Sequence, residues 1–376
     1  MQAVRHGAWF LAASLMICVS TSHAQVGAID TPDRSVPSDF AADDWKKNLT
    51  IGPNGPIPVI VVDQFGYLTK STKVAVIRDP RVGYDSFAKF EPSKSYALIE
   101  LPTGKVIKRA SPTVWNDGST DQASGDKAWW FDFSEIEAAG RYAVVDLEKR
   151  VRSPDFSIGE PVYKDVMKDA LRVFFYQRAG FEKKPALAGR SWADKASHLR
   201  PGQDPQSRPW HEGRLSNPLA KSQVKDLRGG WYDAGDFNKY TSWAARDIIV
   251  LLRAYDEHPQ AFSDDYGIPE SGNGIPDILD EVKWGLDWLV RMQNSDGSLL
   301  CVQSLDGASP PSDARGASYY GPPTTSATVM GAAAFAYASK FFASRSEPDL
   351  RRYGDDLKKR ATTAWTWATA NPNVLY

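Results

Sequence analysis

The sequence has few cysteines and almost no net charge. Its 376 residues include two cysteines, Cys18 and Cys301, and its 45 basic and 46 acidic side chains give a formal net charge of −1. Two such distant cysteines cannot build a disulfide framework, which excludes the small disulfide-stapled folds. A balanced charge provides no broad field that would attract nucleic acid or an anionic membrane surface. We therefore expect a neutral partner, no nucleic acid and no membrane. We also expect a monomeric protein.

Long hydrophobic runs are also missing, apart from one near the amino terminus. This run covers residues 8–19, which is shorter than the roughly 20 residues that a membrane-spanning helix needs. Arg5 and His6 precede the run, and a small-x-small pattern follows it at residues 22–24. A basic start, a short apolar core and small residues are typical of a secretory signal. We predict that residues 1–24 are a signal peptide and that the protein is secreted or periplasmic, two destinations that the signal does not separate.

Two regions with different hydrophobic patterns follow a polar, proline-containing stretch at residues 25–56, which we interpret as a linker. Residues 57–159 contain short apolar runs separated by turn residues, which predict an immunoglobulin-like β-sandwich. Seven runs are candidate strands: PVIVVDQF, KVAVI, YALIEL, KVIKRA, AWWFDF, RYAVVDL and DFSI.

Residues 160–376 have the 3.6-residue periodicity of helices, and the last third of the chain shows no convincing strand run, so we predict an all-α second domain. The first helix lies within KDVMKDALRVFFYQRAG and ends before Gly180. The clearest helix covers residues 276–293, where Ile278, Val282, Leu286 and Leu289 form one apolar stripe. The other predicted helices cover residues 242–255, 326–342 and 349–370.

The stretch GGWYDAGDFNKY places two carboxylates, Asp233 and Asp236, three residues apart around a glycine. We expect both to lie close to the amino terminus of the helix that begins near Ser242, where the helix dipole and free amides would keep them ionised. Two ionised carboxylates beside a pocket can hold a water molecule and act on it as a general base. The structural alternative is that they are ordinary turn or helix-capping aspartates.

Three stretches together resemble glycoside hydrolase family 9, the cellulase and endoglucanase family: GGWYDAGDFNKY, GIPESGNGIPDILDEVKWGLDWLVRMQNSDGSLL and PPTTSATVMGAAAFAYASKFF. A fourth, VVDQFGYLTKSTKVAVI, resembles the immunoglobulin-like domain that precedes many of these enzymes. The resemblance implies an (α/α)6 barrel of six helical hairpins, of which residues 160–376 would be about the first half. It also implies cleavage of β-1,4-glucan with inversion, with Asp236 as the base that activates water and Asp233 helping to hold that water.

The resemblance fails for the general acid. In the family this residue is a glutamate close to the carboxyl end of the catalytic domain, and no residue up to Tyr376 matches it, so we expect a truncated chain that holds the base side of the site alone. The alternatives are a noncatalytic secreted carbohydrate-binding fragment, and an exo-acting β-glycosidase or glucosaminidase of the same family. The sequence leaves open the exact polysaccharide and the choice between endo and exo action.

Aromatic residues are plentiful, with 13 Trp and 15 Tyr, and their flat faces can stack on sugar rings. We consider Trp231 and Tyr232 beside the aspartates, and Tyr319 and Tyr320 in a loop before a helix, as substrate-binding residues, with packing in the core as the alternative.

No cofactor is required for this chemistry, and we expect no metal in the catalytic site. A group of oxygen-bearing residues could hold Ca²⁺ elsewhere, although the same residues would also serve helix capping. The group is Glu270, Asn273, Asp277, Asp280 and Glu281. Some relatives with this amino-terminal domain hold zinc through cysteine and histidine; here Cys301 stands alone, so that site is expected to be absent.

Overall fold

A computed structural model of the chain describes residues 49–50, 57–210 and 223–376. The predicted signal peptide and nearly all of the predicted linker lie outside the described residues. The chain divides into two compact units, one that runs to Ile158 and one that begins at Gly159, except that Phe65–Leu68 belongs to the second unit. No helix of the described residues is both long enough and apolar enough to cross a membrane.

The first unit consists of short strands, and each of the seven apolar runs overlaps one of them. Two further strands, β5 and β8, are only two residues long and were not predicted. The nine strands are β1 (Ile60–Val61), β2 (Val74–Pro80), β3 (Tyr96–Leu101), β4 (Val106–Ala110), β5 (Thr113–Val114), β6 (Asp126–Asp132), β7 (Gly140–Asp146), β8 (Val151–Arg152) and β9 (Phe156–Ile158).

These strands form two antiparallel sheets, in the orders β1-β2-β6-β5 and β4-β3-β7-β8, with β9 also pairing with β7. Ile77 of β2 lies opposite Trp129 of β6, and Leu98 of β3 lies opposite Val144 of β7. Side chains on β3 between Tyr96 and Ile99 are fully buried.

Aromatic side chains fill the space between the two sheets. The ring centroids of Tyr96 and Phe131 are 6.2 Å apart, and those of Phe133 and Phe156 are 5.4 Å apart. Two antiparallel sheets whose inner side chains pack against each other form a β-sandwich. This agrees with the prediction for this region.

The second unit is mainly helical, and every predicted helix is present within three residues at each end. Its helices are α1 (Lys164–Gln177), α2 (Pro185–Ala188), α3 (Thr241–Glu257), α4 (Asp277–Met292), α5 (Thr325–Ala343) and α6 (Pro348–Ala370). The apolar stripe of α4 is buried along its whole length, and it packs in one core with α3, α5 and α6.

The prediction that this unit is all-α is wrong, because it also contains a four-stranded sheet in the order β10-β13-β12-β11. Its strands are β10 (Arg208–Pro209), β11 (Lys239–Tyr240), β12 (Val302–Ser304) and β13 (Tyr319–Tyr320). Each has only two or three residues, too few for the alternation that marks a strand in a sequence.

A buried ion pair connects β11 of this sheet to residues that precede it in the chain. Lys239 Nζ lies 2.8 Å from Asp204 Oδ2 and 2.7 Å from the Gly229 carbonyl oxygen, and both charged side chains are fully buried. The Ser318 hydroxyl donates to the other oxygen of Asp204. Because Lys239 follows Asp236 by three residues, this pair anchors one end of the turn that carries the two aspartates.

Candidate active site

The two aspartates lie in a tight turn between Tyr232 and β11. The Asp233 amide donates to the Asn238 carbonyl oxygen at 2.8 Å, and the Phe237 amide donates to the Ala234 carbonyl oxygen at 3.1 Å. The turn leads into β11, and α3 begins only at Thr241. Both carboxylates therefore lie shortly before the amino terminus of α3, separated from it by a short strand.

The Asp236 carboxylate is exposed and is held by a single neighbouring residue. The Asn238 amide donates to its Oδ1 at 3.2 Å, and Asn238 Nδ2 donates to its Oδ2 at 2.9 Å. Asn238 Nδ2 also donates to Tyr240 Oη at 3.2 Å, while its Oδ1 accepts from the Leu305 amide at 3.3 Å. Every hydrogen-bonding group of the Asn238 side chain is thus engaged, which fixes the orientation of the Asp236 carboxylate.

Asp233 is in a different environment from Asp236. It is partly buried, and within the described part of the chain no side chain or amide donates to its carboxylate. Burial raises the pKa of Asp233, and the nearby charge of Asp236 raises it further. The carboxyl is left free to bind a water molecule or a substrate hydroxyl.

A cleft of about 80 Å³ lies against Asp233, which is room for more than one water molecule. Among the described residues that line it, Asp233 and Asp247 carry a carboxyl and none carries a positive charge. The lining is Trp231, Tyr232, Asp233, Tyr240, Trp243, Ala244 and Asp247.

Tyr232 lines this cleft but is only 4% exposed. Its hydroxyl contacts Ser197 Oγ and His198 Nδ1, and His198 Nε2 lies 2.8 Å from the Asp306 carbonyl oxygen. A carbonyl can only accept, so His198 carries its proton on Nε2, and its Nδ1 accepts from the Tyr232 hydroxyl. Burial raises the pKa of Tyr232, which keeps that hydroxyl a donor.

Trp231 is likewise buried, at 7% exposure, and its indole Nε1 donates to Glu281 Oε2 at 3.2 Å. Its ring packs edge-on against Phe174, with centroids 5.0 Å apart, and lies directly on Gly285 of α4. A glycine is required there because a β-carbon at position 285 would overlap the indole ring.

We expect Gly285→Ala to destabilise the protein by up to about 2 kcal/mol. Alanine gains about 1 kcal/mol of helix propensity over glycine, but overpacking costs about 1–3 kcal/mol, and the indole cannot move without losing its bond to Glu281. Chemical denaturation measures the free energy of unfolding. Gly235→Ala is the matched control, since a β-carbon at that position meets no atom within 4 Å; equal stabilities for the two variants would contradict the packing argument.

Tyr319 and Tyr320 lie in β13 rather than in the predicted loop, and neither lines the cleft beside Asp233. Tyr320 is 8% exposed, and its hydroxyl donates to the Gln223 carbonyl oxygen. Tyr319 packs edge-on against Trp210, with centroids 5.5 Å apart. The structure therefore places Trp231, Tyr232 and Asp233 around one cleft, with Asp236 in the same turn but outside the lining, as the two tyrosines also are.

The five residues of the calcium hypothesis all have hydrogen-bond partners in the protein. Glu270 and Glu281 both bind the buried Arg178, and Asn273 donates to Asp280. Asp277 accepts from the Tyr266 amide and from the Ser271 hydroxyl. Within residues 49–50, 57–210 and 223–376, no group of three or more His, Cys, Asp or Glu could hold a metal ion.

Four residues around the site were not singled out from the sequence: Asn238, His198, Trp243 and Asp247. The sequence does hold a signal that could have found two of them, because positions i, i+3, i+4 and i+7 share one face of a helix. Tyr240, Trp243, Ala244 and Asp247 have this spacing.

Comparison with known proteins identifies the family. The family model for glycosyl hydrolase family 9 matches residues 163–376, and the model for the cellulase N-terminal ig-like domain matches residues 56–149. The chain belongs to glycosyl hydrolase family 9. The resemblance inferred from its motifs is thereby confirmed, together with the immunoglobulin-like domain before the catalytic region.

The relatives of this family 9 chain are longer than the chain itself. It is 28% identical over 327 residues to a xyloglucan-specific endo-beta-1,4-glucanase, BoGH9A, from Bacteroides ovatus, covering 85% of this chain and 51% of that protein. It is 26% identical over 343 residues to a cellulose 1,4-beta-cellobiosidase from Acetivibrio thermocellus, covering 79% and 36%. The crystal structure of a metagenome-derived family 9 endoglucanase superposes with a TM-score of 0.69 at 30% identity, covering 84% and 55%. The chain thus spans about half or less of the length of these relatives.

Proposed function

We propose that the chain carries the base side of a glycoside hydrolase site that cleaves β-1,4-glucan with inversion. The observation that carries this proposal is the pairing of an oriented, exposed carboxylate, Asp236, with an unbonded one, Asp233, beside a cleft in a family 9 chain. The names of the relatives support the substrate class, since an endo-beta-1,4-glucanase and a cellulose 1,4-beta-cellobiosidase both act on β-1,4-linked glucose. They do not distinguish endo from exo action for this chain.

In the proposed mechanism Asp236 accepts one proton from a water molecule, while Asp233 accepts a hydrogen bond from the O–H that the water keeps. The water oxygen attacks the anomeric carbon from the face opposite the departing sugar, the glycosidic bond breaks, and the configuration inverts. Asn238 keeps the Asp236 carboxylate oriented toward the water molecule during the proton transfer. A general acid must protonate the leaving oxygen, and an inverting enzyme separates acid and base by roughly 6.5–9.5 Å.

We further propose that residues outside 160–376 supply this acid and complete an (α/α)6 barrel. Two carboxylates of α6 form ion pairs on the surface of the helix, Asp349 with Arg352 and Asp356 with Arg360. Helices α5 and α6 pack along each other as one hairpin, with the rings of Phe342 and Tyr353 5.4 Å apart. We also propose that residues 1–24 direct export, which would bring the enzyme to a polymeric substrate.

A substrate that needs no general acid tests the base side of the site in the chain itself. We expect residues 1–376 to hydrolyse 2,4-dinitrophenyl β-cellobioside, whose leaving group departs unprotonated, and to hydrolyse cellohexaose about 10²- to 10⁴-fold more slowly than an enzyme with its acid in place. Proton NMR of the fresh product should show the α-anomer first. A first product in the β-configuration would rule out inversion, and no hydrolysis of the aryl substrate would overturn the catalytic proposal.

A further inference from the structure

The first two turns of α3 present one face to the cleft. Tyr240 precedes the helix, and Trp243, Ala244 and Asp247 follow at the spacing of a single helical face; all four line the cleft with Asp233. The small Ala244 side chain lies between two larger ones, which leaves open volume above it.

Trp243 is a large aromatic side chain held in place yet left uncovered. It is 52% exposed, and its ring lies 4.9 Å from that of Tyr240 at an angle of 43°. Tyr240 is in turn held by Asn238, the residue that orients Asp236. The indole is therefore supported from one side and fixed relative to the proposed base, while part of its surface remains available to a ligand.

Asp247 supplies a hydrogen-bond acceptor on the same face. Its side chain is 38% exposed, and among the described residues its closest cation is Arg246 Nε at 3.8 Å, beyond hydrogen-bond length. Burial raises the pKa of Asp247, Arg246 opposes the rise, and the charge of Asp233 adds to it, so the two carboxyls lie within electrostatic range of each other. A cleft with two carboxyls and no positively charged lining residue disfavours acidic sugars.

We propose that Trp243 and Asp247 form a glycosyl subsite next to the catalytic aspartates, in which the indole stacks on a pyranose ring and the Asp247 carboxylate accepts hydrogen bonds from ring hydroxyls. The ligand is a neutral β-1,4-linked glucosyl unit, and the inference rests on the function proposed above. An aromatic face provides affinity without charge, and a carboxylate provides orientation, which is how a mostly apolar site becomes specific for a polyol.

Titration of the ¹⁵N-labelled 376-residue chain with cellotetraose tests the subsite. The Trp231 indole Nε1–H resonance reports on binding, because Trp231 lines the same cleft and is present in every variant. We expect Trp243→Ala to bind at least about tenfold more weakly, as truncation of a central aromatic contact does, and Trp243→Phe to lose less. Asp247→Asn should weaken binding while the dispersion of the spectrum shows that the fold is kept.

Trp365→Ala is the matched control, since Trp365 is 58% exposed on α6 and is not among the residues that line the cleft; its affinity should equal that of the wild type. If wild type and Trp243→Ala bind cellotetraose equally, the subsite is overturned and the proposed hydrolysis stands. If the wild type binds a chitosan tetramer and no cellotetraose, the neutral ligand class is overturned, and the β-1,4-glucan proposal fails with it.

Discussion

Replacing Asp236 with alanine is expected to reduce the rate of hydrolysis of 2,4-dinitrophenyl β-cellobioside by about 10²- to 10⁴-fold, the usual contribution of a positioned general base. The side chain is exposed and its hydrogen bonds come from one residue, Asn238, so its loss should leave the fold intact. Binding of cellotetraose should also persist, because the Asp236 carboxylate acts on water, while other residues bind the sugar. Initial rates and the same NMR titration separate the two effects.

Rescue by a small nucleophile makes this test specific for the role of base. Azide needs no deprotonation, so added azide should restore turnover to Asp236→Ala and give the α-glycosyl azide, the inverted product. Asp355→Ala is the control, since Asp355 is an exposed carboxylate of α6 outside the cleft, and its rate should match that of the wild type. If Asp236→Ala retained the wild-type rate, Asp236 would not be the base.

Asn238 illustrates why the site was only partly predictable. The D-A-G-D spacing predicts two nearby carboxylates, because a turn of this length keeps residues three apart close together. An asparagine two positions further on looks like another turn residue. Its role depends on the Leu305 amide, which lies 67 residues away in the sequence and has no local signature.

The fold, like the site, was only partly predictable from the sequence. Helix α4 was predicted within one residue at each end, because its stripe repeats over four turns and every member of the stripe faces the core. The sheet of β10 to β13 was missed, because its strands are too short to show a period and because β10 and β13 are joined only by contacts between residues about 110 apart. Local pattern thus determined the long elements, while tertiary contacts determined the short ones that support the site.

Replacing Arg178 with methionine is expected to destabilise the protein by about 3–5 kcal/mol, the cost of leaving a buried charge without its partner. The Arg178 side chain is fully buried; its Nε donates to Glu281 Oε1 at 3.0 Å, and its two terminal nitrogens donate to the Glu270 carboxylate. Its guanidinium also lies 4.7 Å from the centre of the Trp284 ring. Glu281 is itself 2% exposed, so without Arg178 it would have to be neutralised or hydrated inside the core.

The double variant Arg178→Met/Glu281→Leu separates the cost of an unpaired charge from the value of the pair. Apolar residues of similar size often replace a buried ion pair with little loss, so the double variant should recover most of the stability that Arg178→Met loses. Recovery should be incomplete, because Glu281 Oε2 also accepts from the Trp231 indole beside Asp233. Chemical denaturation of the wild type, both single variants and the double variant forms a complete cycle. If the two losses are additive, the double variant will be the least stable of the four proteins. Arg178 and Glu281 would then stabilise the protein independently, and the unpaired charge of Glu281 would not explain the loss in Arg178→Met.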